Sequence, residues 1–127
     1  MRPYNKSDFW RLYKYLESEG IPPLEMVFAR DVTWVNDYGF YTYRLEHHDT
    51  QPWLIHFYIH PDHRGYQSLY RMYQHFKGEI RKQGFNWYVV SVPDDKQYIR
   101  KFVKLGGGNK YARKNKMDFY KVILKEA

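Results

Sequence analysis

The chain is 127 residues long, with 43% apolar and 20% aromatic residues, no cysteine and a formal charge of +7. That length carries one core and therefore one domain, 1–127, and the absence of cysteine excludes disulfides and thiolate chemistry. There is no run of 18 apolar residues, and "MRPYNKSDF" lacks the pattern of a signal peptide, so the expectation is a soluble, cytoplasmic protein with no membrane partner.

In chain order, "MRPY" reads as a short extended start. Ser7 is placed to cap a helix running to about Glu19, with Phe9, Leu12, Tyr13 and Leu16 on one face and Gly20 as the stop. Pro22 and Pro23 suit the beginning of a short helix over Leu24–Arg30. "VTWVN" and "FYTYRL" are rich in β-formers and flank Asp37-Tyr38-Gly39, which predicts a hairpin. "HHDTQP" reads as a loop, followed by a strand over Trp53–Ile59.

The longest predicted helix covers Tyr66–Gln83, with Leu69, Met72, Tyr73, Phe76 and Ile80 at helical spacing and Gly84 closing it. "WYVVSV" (87–92) is nearly all apolar, the pattern of a strand buried on both faces. Asp94 is placed to begin another helix, with Gln97 three residues on as a capping box, and the glycines at 106–108 end it. Two last strands, 109–113 and 117–124, flank a Lys-Asn-Lys turn. The order is β-α-α-β-β-β-α-β-α-β-β, a mixed α/β (α+β) sandwich around a central sheet.

From Lys96 to Lys116 the chain carries Lys96, Arg100, Lys101, Lys104, Lys110, Arg113, Lys114 and Lys116 and no acidic residue. Such a block attracts polyanions, whether nucleic acid, an acidic protein or a phosphate-bearing cofactor; the plainer alternative is a solvated basic face. "KYARKNKMDFYK" interleaves aromatic and basic residues as a surface for stacked bases would, although no RRM or KH motif accompanies it. The six histidines lack the spacing of a metal site, so none is expected.

Three stretches resemble the GNAT N-acetyltransferase superfamily, and with the element order they extend the likeness over essentially the whole chain. "MRPYNKSDF" is similar to the family's opening strand and first-helix start. "FYIHPDHRGYQSLYRMYQHF" resembles its fourth strand, pyrophosphate loop and third helix. "DDKQYIRKFVKLGGG" resembles its last helix. The resemblance implies a GNAT-like mixed sheet and an acyl-CoA-dependent N-acyltransferase that uses acetyl-CoA and an unidentified amine. It places the pyrophosphate on the amides of Arg64, Gly65, Tyr66, Gln67, Ser68 and Leu69, with the Arg64 side chain and the Ser68 hydroxyl assisting. It pairs the pantetheine arm with the backbone of Phe57, Tyr58 and Ile59. Pairing of two copies through sheet edges is a further implication.

Two departures from the family pattern follow. Where the family has Arg/Gln-x-x-Gly-x-Gly/Ala, this chain has Gln67 and Leu69 at the later glycine positions, which predicts weak or absent cofactor binding. Phe102 stands where a tyrosine often protonates the leaving thiolate, and phenylalanine has no proton to give. His56 and Glu46 are the candidate bases for the acceptor amine. The alternative function is a catalytically inactive GNAT-like interaction or assembly protein, of a kind found among viral proteins in the virion or host cytoplasm, or a nucleic-acid-binding protein.

Overall fold

The computed structural model describes residues 1–20, 31–45 and 52–124. The helix expected over Leu24–Arg30 lies outside them, as do Glu46, His47 and His48. Seven strands form one sheet in the order β1-β2-β3-β4-β5-β7-β6. These are β1 (Arg2–Pro3), β2 (Val32–Val35), β3 (Gly39–Leu45), β4 (Pro52–Ile59), β5 (Trp87–Pro93), β6 (Asn109–Lys114) and β7 (Met117–Ile123). Among the described residues three helices pack on it: α1 (Phe9–Ser18), α2 (Tyr66–Lys82) and α3 (Gln97–Leu105).

The helix starts differ from their expected residues. The cap of the first helical turn is Asn5, not Ser7: its extended backbone lets its side chain accept from the Ser7 amide at 3.2 Å, while Asp8 accepts from the Asn5 amide at 2.9 Å. This is a reciprocal box one turn early. At the other end of the chain, Asp94 does not cap α3. Its carboxylate pairs with Arg113 at 2.7 and 2.8 Å, and Gln97 instead donates to the Asp94 carbonyl. The last hairpin turns through Asn115 and Lys116 at φ of 54° and 62°, the left-handed pair that a two-residue turn demands.

The sheet separates two apolar layers. On one face, Met72, Phe76 and Ile80 of α2 and Ile99, Phe102 and Val103 of α3 pack with Tyr41, Leu54, Phe57, Tyr88 and Val90. On the other, Leu12 and Leu16 of α1 pack with Val35, Phe40 and Tyr58. β4 supplies both layers. Its register against β3 jumps from Thr42↔His56 to Tyr43↔Leu54, so Ile55 is an extra residue, a bulge. Gly39 allows the close approach of β3 at the far end of β4, because a Cβ there would stand 2.1 Å from the Tyr58 carbonyl oxygen.

All strand pairs are antiparallel except β4 and β5. That parallel ladder has two rungs, Trp53↔Val89 and Leu54↔Val90, although β4 continues to Ile59 and β5 to Pro93. Past Leu54 and Val90 the two strands part.

Candidate functional site

The parting of β4 and β5 leaves backbone groups of β4 facing a gap, and buried backbone groups need partners. Phe57, Tyr58 and Ile59 line this stretch and are all buried. Beyond them the chain turns through Pro61–His63 and starts α2 at Tyr66 with Gly65 in the cap position and no side-chain cap. Among the described residues the N–H groups of Gly65, Tyr66, Gln67 and Ser68 have no hydrogen-bond acceptor, whereas Arg64 N–H reaches Pro61 O and Leu69 N–H reaches Gly65 O. A 17-residue helix therefore opens onto the end of the gap with its amides free.

The family model and curated-sequence comparisons give no match for this chain. Solved structures do match. An acetyltransferase of the GNAT family from Staphylococcus aureus Mu50 superposes with a TM-score of 0.77 at 14% identity, over 97% of both chains. Arabidopsis thaliana Naa50, in complex with the bisubstrate analogue CoA-Ac-MVNAL, gives 0.70 at 16% identity over 94% of this chain and 93% of its own. The yncA protein of Salmonella typhimurium, solved with its cofactor acetyl-CoA, gives 0.72 at 14% identity over 99% and 94%. This chain has the GNAT fold.

Within this GNAT fold the sequence-predicted residues divide between the two sides of the gap. On the α2–α3 side, Tyr66, Leu69, Tyr70, Tyr73, Gln74, Lys77, Phe102 and Gly106 line a groove of about 210 Å³. Phe102 is 3% exposed, stacked on Phe57 at 4.3 Å and edge-on to Tyr73 at 4.7 Å. Gln67 is exposed to solvent, Ser68 is half-buried, and Leu69 packs against the core as the first apolar residue of its helix. On the α1 side, His56 lies half-buried with Phe40 at 6.3 Å. Burial lowers its pKa to about 4 against a smaller opposing pull from Asp31, so the imidazole is neutral at pH 7.

Arg64 does not face the loop. Its Nε donates to the Ile59 carbonyl at 2.7 Å and its Nη2 reaches Glu19 at 2.5 Å; the guanidinium lies 4.0 Å over the Tyr98 ring and 5.6 Å from that of Tyr58. Lys96, just past β5, grips the other Glu19 oxygen. Glu19, at the end of α1, thus ties the chain beyond β4 to the chain beyond β5. Burial pushes its carboxyl up, but hydrogen bonds from Lys96 and Arg64 together outweigh that and hold it below the usual range.

Sequence reasoning missed Glu19, Lys96 and Tyr98 as members of this site. Tyr98 stands one turn before Phe102 on the same helix face, a spacing that pointed to it. Its hydroxyl donates to the Phe57 carbonyl at 3.2 Å. The cavity left on the α1 side, bounded by Glu19, His56, Ser91, Lys96 and Tyr98 among others, holds about 60 Å³.

Half of the basic block is paired: Lys96 with Glu19, and three further cations with Asp94 and Asp118. Arg100 and Arg113 both reach Asp94 and Asp118, and Lys110 reaches Asp118 at 3.3 Å. Of the two tyrosines in that stretch, Tyr120 is buried and Tyr111 is 57% exposed. Among the described residues no group of three or more His, Asp or Glu side chains is placed to hold a metal ion. No helix among them is long and apolar enough to cross a membrane.

Proposed function

We propose that this chain is an acyl-CoA-dependent N-acyltransferase that transfers an acetyl group to an amine. The observation that carries the reading is the two-rung β4–β5 ladder opening into a gap whose end meets the free amides of α2. The bound group would supply an activated acyl thioester. The N–H groups of Gly65, Tyr66, Gln67 and Ser68, with the Ser68 hydroxyl, would hold its pyrophosphate at the positive end of the helix. The backbone of Phe57 to Ile59 would pair with its pantetheine arm as a neighbouring strand does. Since the Arg64 guanidinium is held by Glu19 and the Ile59 carbonyl, the loop would bind phosphate through its backbone and not through that cation.

His56 faces the α1 side of the gap, from which an amine would approach. As a neutral imidazole it has a lone pair for the amine's proton, but a pKa near 4, well below the neutral range that suits a general base, makes it a weak acceptor. Glu46, the other expected base, lies outside the described residues. One observation favours a second reading, in which the fold binds without catalysing: Phe102 offers no acid.

Calorimetry with CoA, and CoA release from acetyl-CoA across a panel of primary amines, test both. The enzyme reading expects binding and amine-dependent release. Binding without release from any amine leaves the second reading; no binding sinks the cofactor assignment itself.

A further inference from the structure

The gap between β4 and β5 is not empty of protein. Backbone groups of β4 past Leu54 have lost their β5 partners, and one of them meets a side-chain oxygen. The Tyr98 hydroxyl donates to Phe57 C=O at 3.2 Å. In a parallel ladder such a carbonyl accepts from an N–H of the neighbouring strand. Tyr98 therefore takes the place of one donor of the missing strand.

Its ring is also held. The Arg64 guanidinium lies 4.0 Å over the ring face, and that guanidinium is fixed by Ile59 O and Glu19, which Lys96 grips from the β5 side. What remains beside the ring is about 60 Å³. That is room for a few water molecules, against about 210 Å³ in the α2–α3 groove.

We propose that Tyr98 sets the affinity of this wedge for a pantetheine-bearing ligand, because its hydroxyl and ring occupy the place on β4 that the ligand's amides must take. This rests on the cofactor reading above, and it moves the main obstruction from Gln67, which points to solvent, to a residue in the helix after β5. Binding requires Tyr98 to swing out and give up its bond to Phe57 and its contact with Arg64.

The test is calorimetric titration of CoA into the native chain, Tyr98→Phe and Tyr98→Ala, with adenosine 3′,5′-bisphosphate as the probe of the nucleotide end alone. Removing the hydroxyl frees the Phe57 carbonyl, so Tyr98→Phe should bind CoA a few-fold more tightly. Tyr98→Ala, which also clears the ring, should gain about tenfold or more, as the loss of a competing hydrogen bond and a cation–π contact implies. The nucleotide probe should bind all three proteins alike. Equal CoA affinity in all three overturns the proposal and leaves the cofactor reading standing. A parallel gain for the nucleotide probe also overturns it, since the variants would then be loosening the fold generally. No CoA binding by any of them overturns the cofactor reading, and the proposal with it. Should Tyr98→Ala not fold, Tyr98→Phe decides, together with the Phe57 carbonyl ¹³C resonance of the native chain: the proposal requires it to shift on adding CoA, and a resonance that stays fixed while CoA binds overturns it.

Discussion

His56 is neutral in the folded chain down to a pKa of about 4, while the unfolded chain takes up its proton near 6.5. Between those values the unfolded state binds more protons, so stability falls as pH drops through that window, by up to about 3 kcal/mol. His75, also lowered chiefly by burial, adds in the same direction. Thermal melts of the native chain from pH 7 to pH 4 should therefore show a steady loss, and His56→Gln should flatten much of it; an unchanged slope would mean the ring is hydrated. Phe102 carries the second prediction at this scale. Phe102→Tyr puts a hydroxyl where the acid is missing, and amine-dependent CoA release should rise about tenfold. A melting temperature lowered with no change in release would assign the ring to packing. The Arg64-Gly65 turn was legible from its neighbours in sequence. The direction of the Arg64 side chain was not, since its partner Glu19 is 45 residues away and Lys96, which shares that carboxylate, is 77 from it.

Helices and strands were legible where their apolar residues repeat, as in Met72, Phe76 and Ile80 along α2 or the unbroken run of β5. Their ends were less so, because an end is fixed by which polar side chain wins a backbone group. Asn5 outcompetes Ser7, and Asp94 gives its carboxylate to Arg113, a residue of a different element. The Ile55 bulge left no mark in the alternation, yet it turns His56 and Tyr58 toward α1 while Leu54 and Phe57 serve the other layer. Asp8 shows how much one end carries. It pairs with Arg2 of β1 at 2.6 and 2.7 Å and accepts from the Asn5 amide, and a hydrogen bond from Arg2, only partly offset by burial, holds its pKa near 2. Asp8→Ala removes the box and the β1–α1 tie together, so urea unfolding should report a loss of about 2 kcal/mol. A change below 0.5 kcal/mol, the usual size for a surface site, would mean that water replaces those bonds at little cost.

Across the molecule, long-range charge pairing replaces what a local reading of the sequence suggests. The stretch from Lys96 to Lys116 contains no acid, but Asp94 and Asp118 bracket it, and the last hairpin folds them onto Arg100, Lys110 and Arg113. Glu19 performs the corresponding task at the wedge, joining α1 to the chain beyond both diverging strands. Glu19→Gln leaves two half-buried cations against a neutral amide and should cost about 2–3 kcal/mol by urea denaturation. Glu17→Gln, on the exposed face of the same helix, should cost less than about 0.5 kcal/mol. Equal effects from the two would show that the clamp is only a surface pair.

The two-rung ladder has a consequence for how the chain reaches this structure. β1 to β4 are neighbours in the sheet, and β5, β7 and β6 form a second antiparallel group; the rungs joining them pair strands separated in sequence by the whole of α2, a non-local contact of the kind that slows folding. Until those rungs form, "PWLIHFYI" and "WYVVSVP" are both open edges, apolar and almost free of charge, and such edges pair with other chains. Refolding should therefore lose yield steeply as protein concentration rises, with aggregates rich in intermolecular β-structure built from these two strands.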